Sequence, residues 1–475
     1  MARIVYDQIW SESTRTNDAS LARMLLTKPD ELAPVLTNLM GNEDDRFPLM
    51  YLSEGMKSTM EINRDEYEYS VIGRLRKAVP LAVTVTTASA GLNGNVFVVS
   101  FTERYFAVGY TIVTPNGYHL VVQDEGKNAG GLWLFNVKLV SKTTTSFVPA
   151  SELLAGNLMG RGWYAAASYG SLGSSGFTTS PYKVRGDVST IRYSHQYEGN
   201  VKDQFVTIPL QGKNGVENKW WAFEEYQHNL NFRFECENNY WYSISNRNSN
   251  GEITERDSQG NPVFRGSGLL EQISNKDTYG TLTAEKIKQT LRSAFYGMSD
   301  AQNKVVTMFT GILGKDMFDS AMKSELLSKE YIKLTDGKFV TGDGYALGLG
   351  GFFSTYEHVD GYKVIVKTAS VFDNGVQAEV SPKHPQYSNL PLESGRMVFV
   401  DTSRYNGENN LVMVTKKGRA MVRGLYKGLN EASNGQGNDV ISTTKDASSI
   451  EFLKTGQVVL RRFNTSIDLR CVAGL

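Results

Sequence analysis

Residues 219–243, KWWAFEEYQHNLNFRFECENNYWYS, read as one long helix inside a chain whose patterning is otherwise mostly β. At about 100° per residue, Trp220, Phe223, Tyr226, Leu230, Phe234 and Trp241 fall on one face. Trp221, Phe232, Cys236 and Tyr240 fall on roughly the opposite face. A helix lying on a protein surface needs only one apolar stripe. Two stripes require cover on both sides. That cover is either a large core of the chain itself, or its own domain on one side and another chain on the other.

The chain has 475 residues, too many for one ordinary core, so two to four domains are expected. Fifty basic side chains balance fifty acidic ones, which argues against a strongly, globally basic nucleic-acid binder but leaves room for a local basic face. Two cysteines, Cys236 and Cys471, exclude a disulfide scaffold and point to a reducing folding compartment. The opening MARIVYDQIWSEST has no apolar signal region, and no run of about 18 apolar residues predicts a membrane span. The expectation is a protein with no membrane partner.

Residues 1–60 read as short helical pieces with thin apolar cover, an arm without a core of its own. From residue 67 to about 169 the pattern has period two. VPLAVTVTTA, GNVFVVSF, FAVGYTIVT, YHLVVQD and LWLFNVKLV are separated by turns at Leu92-Asn93-Gly94, Pro115-Asn116-Gly117, Gly126 and Gly130-Gly131. This spacing predicts a small β-barrel or sandwich. GSLGSSGFTTS, 170–180, reads as a flexible junction. Residues 181–215 read as a long two-stranded hairpin with a turn near Gly199 and little core of its own, so a partner surface is implied. Beyond the long helix, Thr283 is a plausible N-cap for a helix with Ile287, Leu291 and Phe295 on one face. KVVTMFTG reads as a buried strand, LGKDMFDSAMKSELLS as a helix, and residues 345–475 as largely β.

Catalytic patterns are thin. The five histidines show no ligand spacing and the cysteines stand alone, so neither a metal site nor a cofactor is expected. No G-x-S-x-G elbow or P-loop is present. Gly173-Ser-Ser-Gly176 reads better as linker, and GDGYALGLGG as a glycine-rich loop. Glu224-Glu225 and Glu235/Glu237 are carboxylate pairs, for which a solvated or intersubunit polar strip is the simpler reading. His228 reads as a polar-face residue and Cys236 as a buried small hydrophobe. Arg74, Arg76 and Lys77, then Lys416, Lys417 and Arg419, and finally Arg461-Arg462 form short basic clusters that can face DNA or a partner. Alternate strand positions point to opposite faces, however, and surface solubility or intersubunit pairing is the simpler reading.

The order of these elements, with the phrases SPYKVRGDVSTIRYSHQYEGN, GSGLLEQISN, FFSTYEHVDGYKVIV and ESGRMVFVDTS, resembles the major capsid protein of tailed bacteriophages, the Hong Kong 97-like fold. The phrases are similar to those of crAss-like phages of Bacteroidetes. The resemblance implies an α+β fold with an N-terminal arm over 1–65 and an extended E-loop hairpin over 66–80 and 181–218. It implies a spine helix and P-domain over 219–304, and an A-domain over 305–475 with return strands to the P-domain. The β segment, 81–180, is not part of the minimal fold and looks like an inserted domain. No acidic, helical scaffolding region is expected ahead of the arm. The implied function is a structural subunit, not an enzyme, that assembles with itself into hexamers and pentamers of an icosahedral head around double-stranded DNA. Implied partners are auxiliary or head-fibre proteins, a portal, a scaffold and a maturation protease, with assembly in the bacterial cytoplasm. Trp220, Trp221, Phe223, Phe232, Phe234, Tyr240 and Trp241 become candidates for packing or intersubunit contact, and which stripe faces a neighbour stays open. A tail or surface protein binding a receptor through the β segment, or a hydrolase with a scattered site, are the competing readings.

Overall fold

The structure, a computed structural model, describes residues 15–16, 47–50, 59–72, 77–164, 180–199, 205–212, 215–296, 305–328, 338–340, 346–348, 355–357, 363–387, 389–405, 408–429 and 441–473. Among them strands outnumber helices, and the chain divides into two units. One takes the described residues of Met1–Tyr67 and Arg185–Leu475; the other is Glu68–Val184. The chain crosses between the units in two strands, Glu66–Val71 and Tyr182–Asp187, which pair with each other.

The Glu68–Val184 unit is an antiparallel sheet ordered Ala78–Pro80, Leu158–Tyr164, Tyr110–Val113, His119–Val122, Leu132–Leu139, Val96–Phe101, with Lys127–Ala129 added beside Leu132–Leu139. The two ends of this order approach each other: the Ala82 amide donates to the Ser100 carbonyl at 2.8 Å. Alternate side chains fill one interior, with Phe101, Phe106 and Phe135 at ring distances of 4.7 to 6.1 Å. Period-two apolar patterning demands this, because successive residues of a strand face opposite sides. Ala78–Pro80 belongs to this sheet, although residues 66–80 were expected in the hairpin.

The larger unit is built on two sheets. In the first, Ala447–Leu460 runs through the middle, with Ser189–Glu198 on one side and Leu411–Lys416 and Val422–Tyr426 end to end on the other. Thr59–Ile62 pairs outside Leu411–Lys416, and Arg15–Thr16 outside Ser189–Glu198. The second sheet is ordered Asn275–Tyr279, Ile467–Cys471, Met397–Asp401, Val305–Thr310, Lys363–Thr368, Thr355–Glu357. Helix Ala284–Phe295 packs against this second core, as does Ile312–Ser328 through Phe318, Ala321 and Met322. Thr283 caps the first of them by accepting from the Lys286 amide at 3.2 Å.

Residues 181–215 are not one hairpin. Ser189–Glu198 pairs along its whole length with 447–456, because Ile191, Tyr193, His195 and Tyr197 alternate onto the face that the long helix covers. The hairpin lies further on, where Phe205–Gly212 pairs with Gly215–Lys219. The arm is likewise not coreless throughout. Phe47, Leu49 and Met50 are buried in the same core as the long helix. The helices expected in 17–46 lie outside the described residues.

Candidate functional site

The long helix is Trp220–Tyr242, and its side chains are described from residue 227 onward. Over that half, Phe232, Cys236, Tyr240 and Trp241 are buried, with Leu230 and Phe234 half-buried against the same core. Phe232 stacks on Phe452 of the central strand at 5.6 Å between ring centroids. Trp241 meets Phe309 and Phe372 edge-on at 5.4 and 4.9 Å. Here the first sheet covers the Phe232, Cys236 and Tyr240 stripe, and the second sheet and its connections cover Trp241 on the other stripe, whose Leu230 and Phe234 keep partial exposure. Phe232, Tyr240 and Trp241 are packing residues of their own chain and offer no face to a neighbour. The exposed line along the helix is polar: Gln227, Asn231 and Glu235, spaced four residues apart. Trp220, Trp221 and Phe223 have no described side chains, so their part in the expectation lies outside the described residues.

Glu237 is the polar centre of this junction. It is 1 % exposed, and its carboxylate accepts from the Leu49 and Met50 amides at 3.0 and 2.9 Å and from Trp241 Nε1 at 2.8 Å. One carboxylate thus ties the arm segment 47–50 to the helix. Burial outweighs the opposing pull of those three donors and of the buried Lys454 charge, and holds the carboxyl up at about 7. The Lys454 ammonium lies 5.7 Å from the Tyr240 ring centroid. The expected Glu235/Glu237 polar pair is corrected here. Positions two apart on a helix point about 200° away from each other, so Glu235 faces solvent and Glu237 the core. The signal was in the sequence: Glu237 stands three and four residues from Phe234 and Trp241, on the apolar stripe.

On the other flank, His228 stacks on His195 at 3.7 Å. Burial, and then the neighbouring His195, push His228 down to about 4. At the far end of the helix, Tyr242 donates to Glu393 at 2.9 Å, and Glu393 also holds Arg396 at 2.6 Å. Arg396, 5 % exposed, grips Asp468 with two bonds of 2.7 Å. Burial alone would lower the Arg396 guanidinium, but Asp468 and Glu393 outweigh it and hold the charge firmly. Sequence separation hid both clusters.

The basic candidates separate. Lys77 is exposed and ion-paired to Glu103. Lys416 is tied to Asp65 at 2.6 Å. Lys417 and Arg419 are exposed in the turn that follows. Arg74 and Arg76 lie outside the described residues. Among the described residues no group of three or more His, Cys, Asp or Glu is placed to hold a metal ion, and no helix is long and apolar enough to cross a membrane. What these geometries do is hold elements together; none sets a nucleophile beside a base.

Comparison with known proteins agrees with that. The chain is 24% identical over 430 residues to the major capsid protein of Bacteroides phage crAss001, covering 84% of both chains. Among solved structures it is similar to one titled Mycobacterium phage Bobi, at 6% identity and TM-score 0.37, covering 96% of this chain and 99% of that one. It is also similar to the capsid of a native GTA particle, at 9% identity and TM-score 0.33, with the same coverage. Likeness at those scores carries no argument about this chain. The sequence profile of the Crassvirus major capsid protein family matches residues 3–473. Over nearly its whole length, then, this chain belongs to the Crassvirus major capsid protein family, a structural capsid family and not an enzyme family.

Proposed function

We propose that this chain is the wall subunit of an icosahedral phage head with the Hong Kong 97-like architecture, assembling with itself into hexamers and pentamers around double-stranded DNA. The observation that carries this is the family match over residues 3–473. The fold is compatible with it: a long helix braced between two sheets makes a stiff wall element, and the arm is fastened to that helix through Glu237. Closed shells repeat one chain many times, so each surface need only be complementary to another on the same chain. In this reading 1–65 is the arm, 219–304 the spine and P-domain, 305–475 the A-domain, and Glu68–Val184 an insertion. A portal, a scaffold, a maturation protease and auxiliary or head-fibre proteins complete the head, which assembles in the bacterial cytoplasm. Sedimentation velocity of the expressed full chain tests it. Capsomers or larger particles are expected above a threshold concentration, and a monomer at every concentration overturns the proposal.

A further inference from the structure

The strand pair around residue 416 is interrupted. Leu411–Lys416 and Val422–Tyr426 both pair with Ala447–Leu460, Thr415 opposite Gly456 and Val422 opposite Leu453. Between them the chain makes a turn, closed by the Arg419 amide on the Lys416 carbonyl at 2.8 Å and by Gly418 at φ +73°. Every residue from 417 to 423 is exposed, and so are 425, 426 and 427. Lys417, Arg419, Arg423 and Lys427 lie on this stretch, and no Asp or Glu occurs anywhere in 409–430.

Three of the carboxylates nearby are engaged, while Glu61 and Asp446 are exposed. Asp65 holds Lys416, Glu451 holds Arg192 and Ser194, and Glu408 holds Arg461. Glu61 is the exposed acid on the adjacent strand. Lys417, Arg419 and Lys427 have no ion pair among the described residues. Edge strands commonly carry a lysine to block pairing with another sheet. That role concerns Arg423 on the Val422–Tyr426 edge. Lys417 and Arg419 stand in the turn, whose backbone stays bonded to the sheet through the Lys417 amide on the Ile62 carbonyl and the Thr455 amide on the Arg419 carbonyl, each at 2.9 Å. From Arg423 to Lys427 the strand covers about 13 Å at about 3.3 Å per residue, a length over which a duplex presents roughly eight phosphate charges.

We infer that the turn and strand 417–427 form a docking strip for the phosphate backbone of duplex DNA, independent of base sequence. The inference rests on the wall-subunit reading, in which the enclosed DNA is the polyanion within reach. Each basic side chain that neutralises a phosphate steepens the salt dependence of binding by about 0.9 in the slope of log K against log salt.

The test uses the full chain, unassembled, and random-sequence duplex DNA, with fluorescence anisotropy between about 50 and 200 mM salt. The triple variant Lys417→Ala/Arg419→Ala/Lys427→Ala is expected to lose about 2.7 from the slope. A control that replaces exposed basic residues elsewhere, Arg104→Ala/Lys127→Ala/Lys138→Ala, should leave it unchanged. An unchanged slope in the first variant, or no DNA binding by the unaltered chain, overturns the inference. So does a variant that binds DNA normally but no longer assembles, since the strip is then a contact for a second copy. Assembly of the unaltered chain is scored separately, so failure of the wall reading is distinguishable from failure of the strip.

Discussion

Phe232→Ala asks whether the second stripe of the long helix is subunit core or intersubunit face. Phe232 is fully buried and stacked on Phe452 at 5.6 Å. A buried aromatic removes about 150–250 Å² from water. At about 25 cal/mol/Å² the lower part of that range is worth about 4 kcal/mol, of which the remaining alanine methyl keeps about 0.8 kcal/mol. Losing the ring pair adds about 0.5–1.5 kcal/mol. The total, about 4 kcal/mol, falls within the usual range of about 3–5 kcal/mol for such a truncation. The assay is denaturant unfolding of the unassembled subunit, with particle formation scored in parallel. A midpoint lowered by that amount at unchanged m-value is expected. A loss below about 1 kcal/mol together with abolished assembly would refute the reasoning, because it would mean that a neighbouring copy covers this ring.

Other consequences follow from the buried ionisable groups. Glu237 sits at about 7 in the folded chain against 4.5 for a free carboxyl, so its contribution to stability is complete below pH 4.5 and is lost as pH rises through about 7. Glu237→Gln should flatten the difference in melting temperature between pH 5 and pH 8, and an unaltered difference would contradict the burial. His228, at about 4 against 6.5, acts in the opposite sense: its contribution is present above pH 6.5 and is lost as pH falls through about 4. His228→Asn should therefore lose less stability than the unaltered chain between those values, as read by melting. Asp468→Ala leaves the Arg396 guanidinium buried beside Glu393 alone and should cost about 3–5 kcal/mol in denaturant unfolding. Replacing both partners with apolar residues should recover most of it, and a loss below about 1 kcal/mol in the single variant would show the pair to be unimportant.

The period-two runs marked strands Val96–Phe101, Tyr110–Val113, His119–Val122 and Leu132–Leu139, because a half-buried strand must alternate. Most of VPLAVTVTTA, however, is not strand, and Leu158–Tyr164, whose LMGRGW reads in the sequence as an irregular exit, is one. Thr283 and the spacing of Ile287, Leu291 and Phe295 likewise specified a capped amphipathic helix. The partner of Ser189–Glu198 was not legible. Its polar and apolar residues fit a hairpin as well as a sheet, and the strand that completes it, Ala447–Leu460, lies far along the chain, Thr190 meeting Thr455. The two stripes of the long helix were legible, but which surface covers each was not, because helical periodicity reports that a face is buried and not by what. Glu237 was misplaced by reading two neighbouring glutamates as one polar strip, when the helix sets them on different faces. The Arg396–Asp468 pair and the His195–His228 stack join residues that only tertiary structure brings together.

An electron cryomicroscopy reconstruction of particles formed by the full chain tests the account most directly. Closed shells are predicted, in which the Phe232–Phe452 stack and the Glu237 bonds to the Leu49 and Met50 amides each lie within a single copy. A chain that stays monomeric, or shells in which those contacts are shared between two copies, would contradict it.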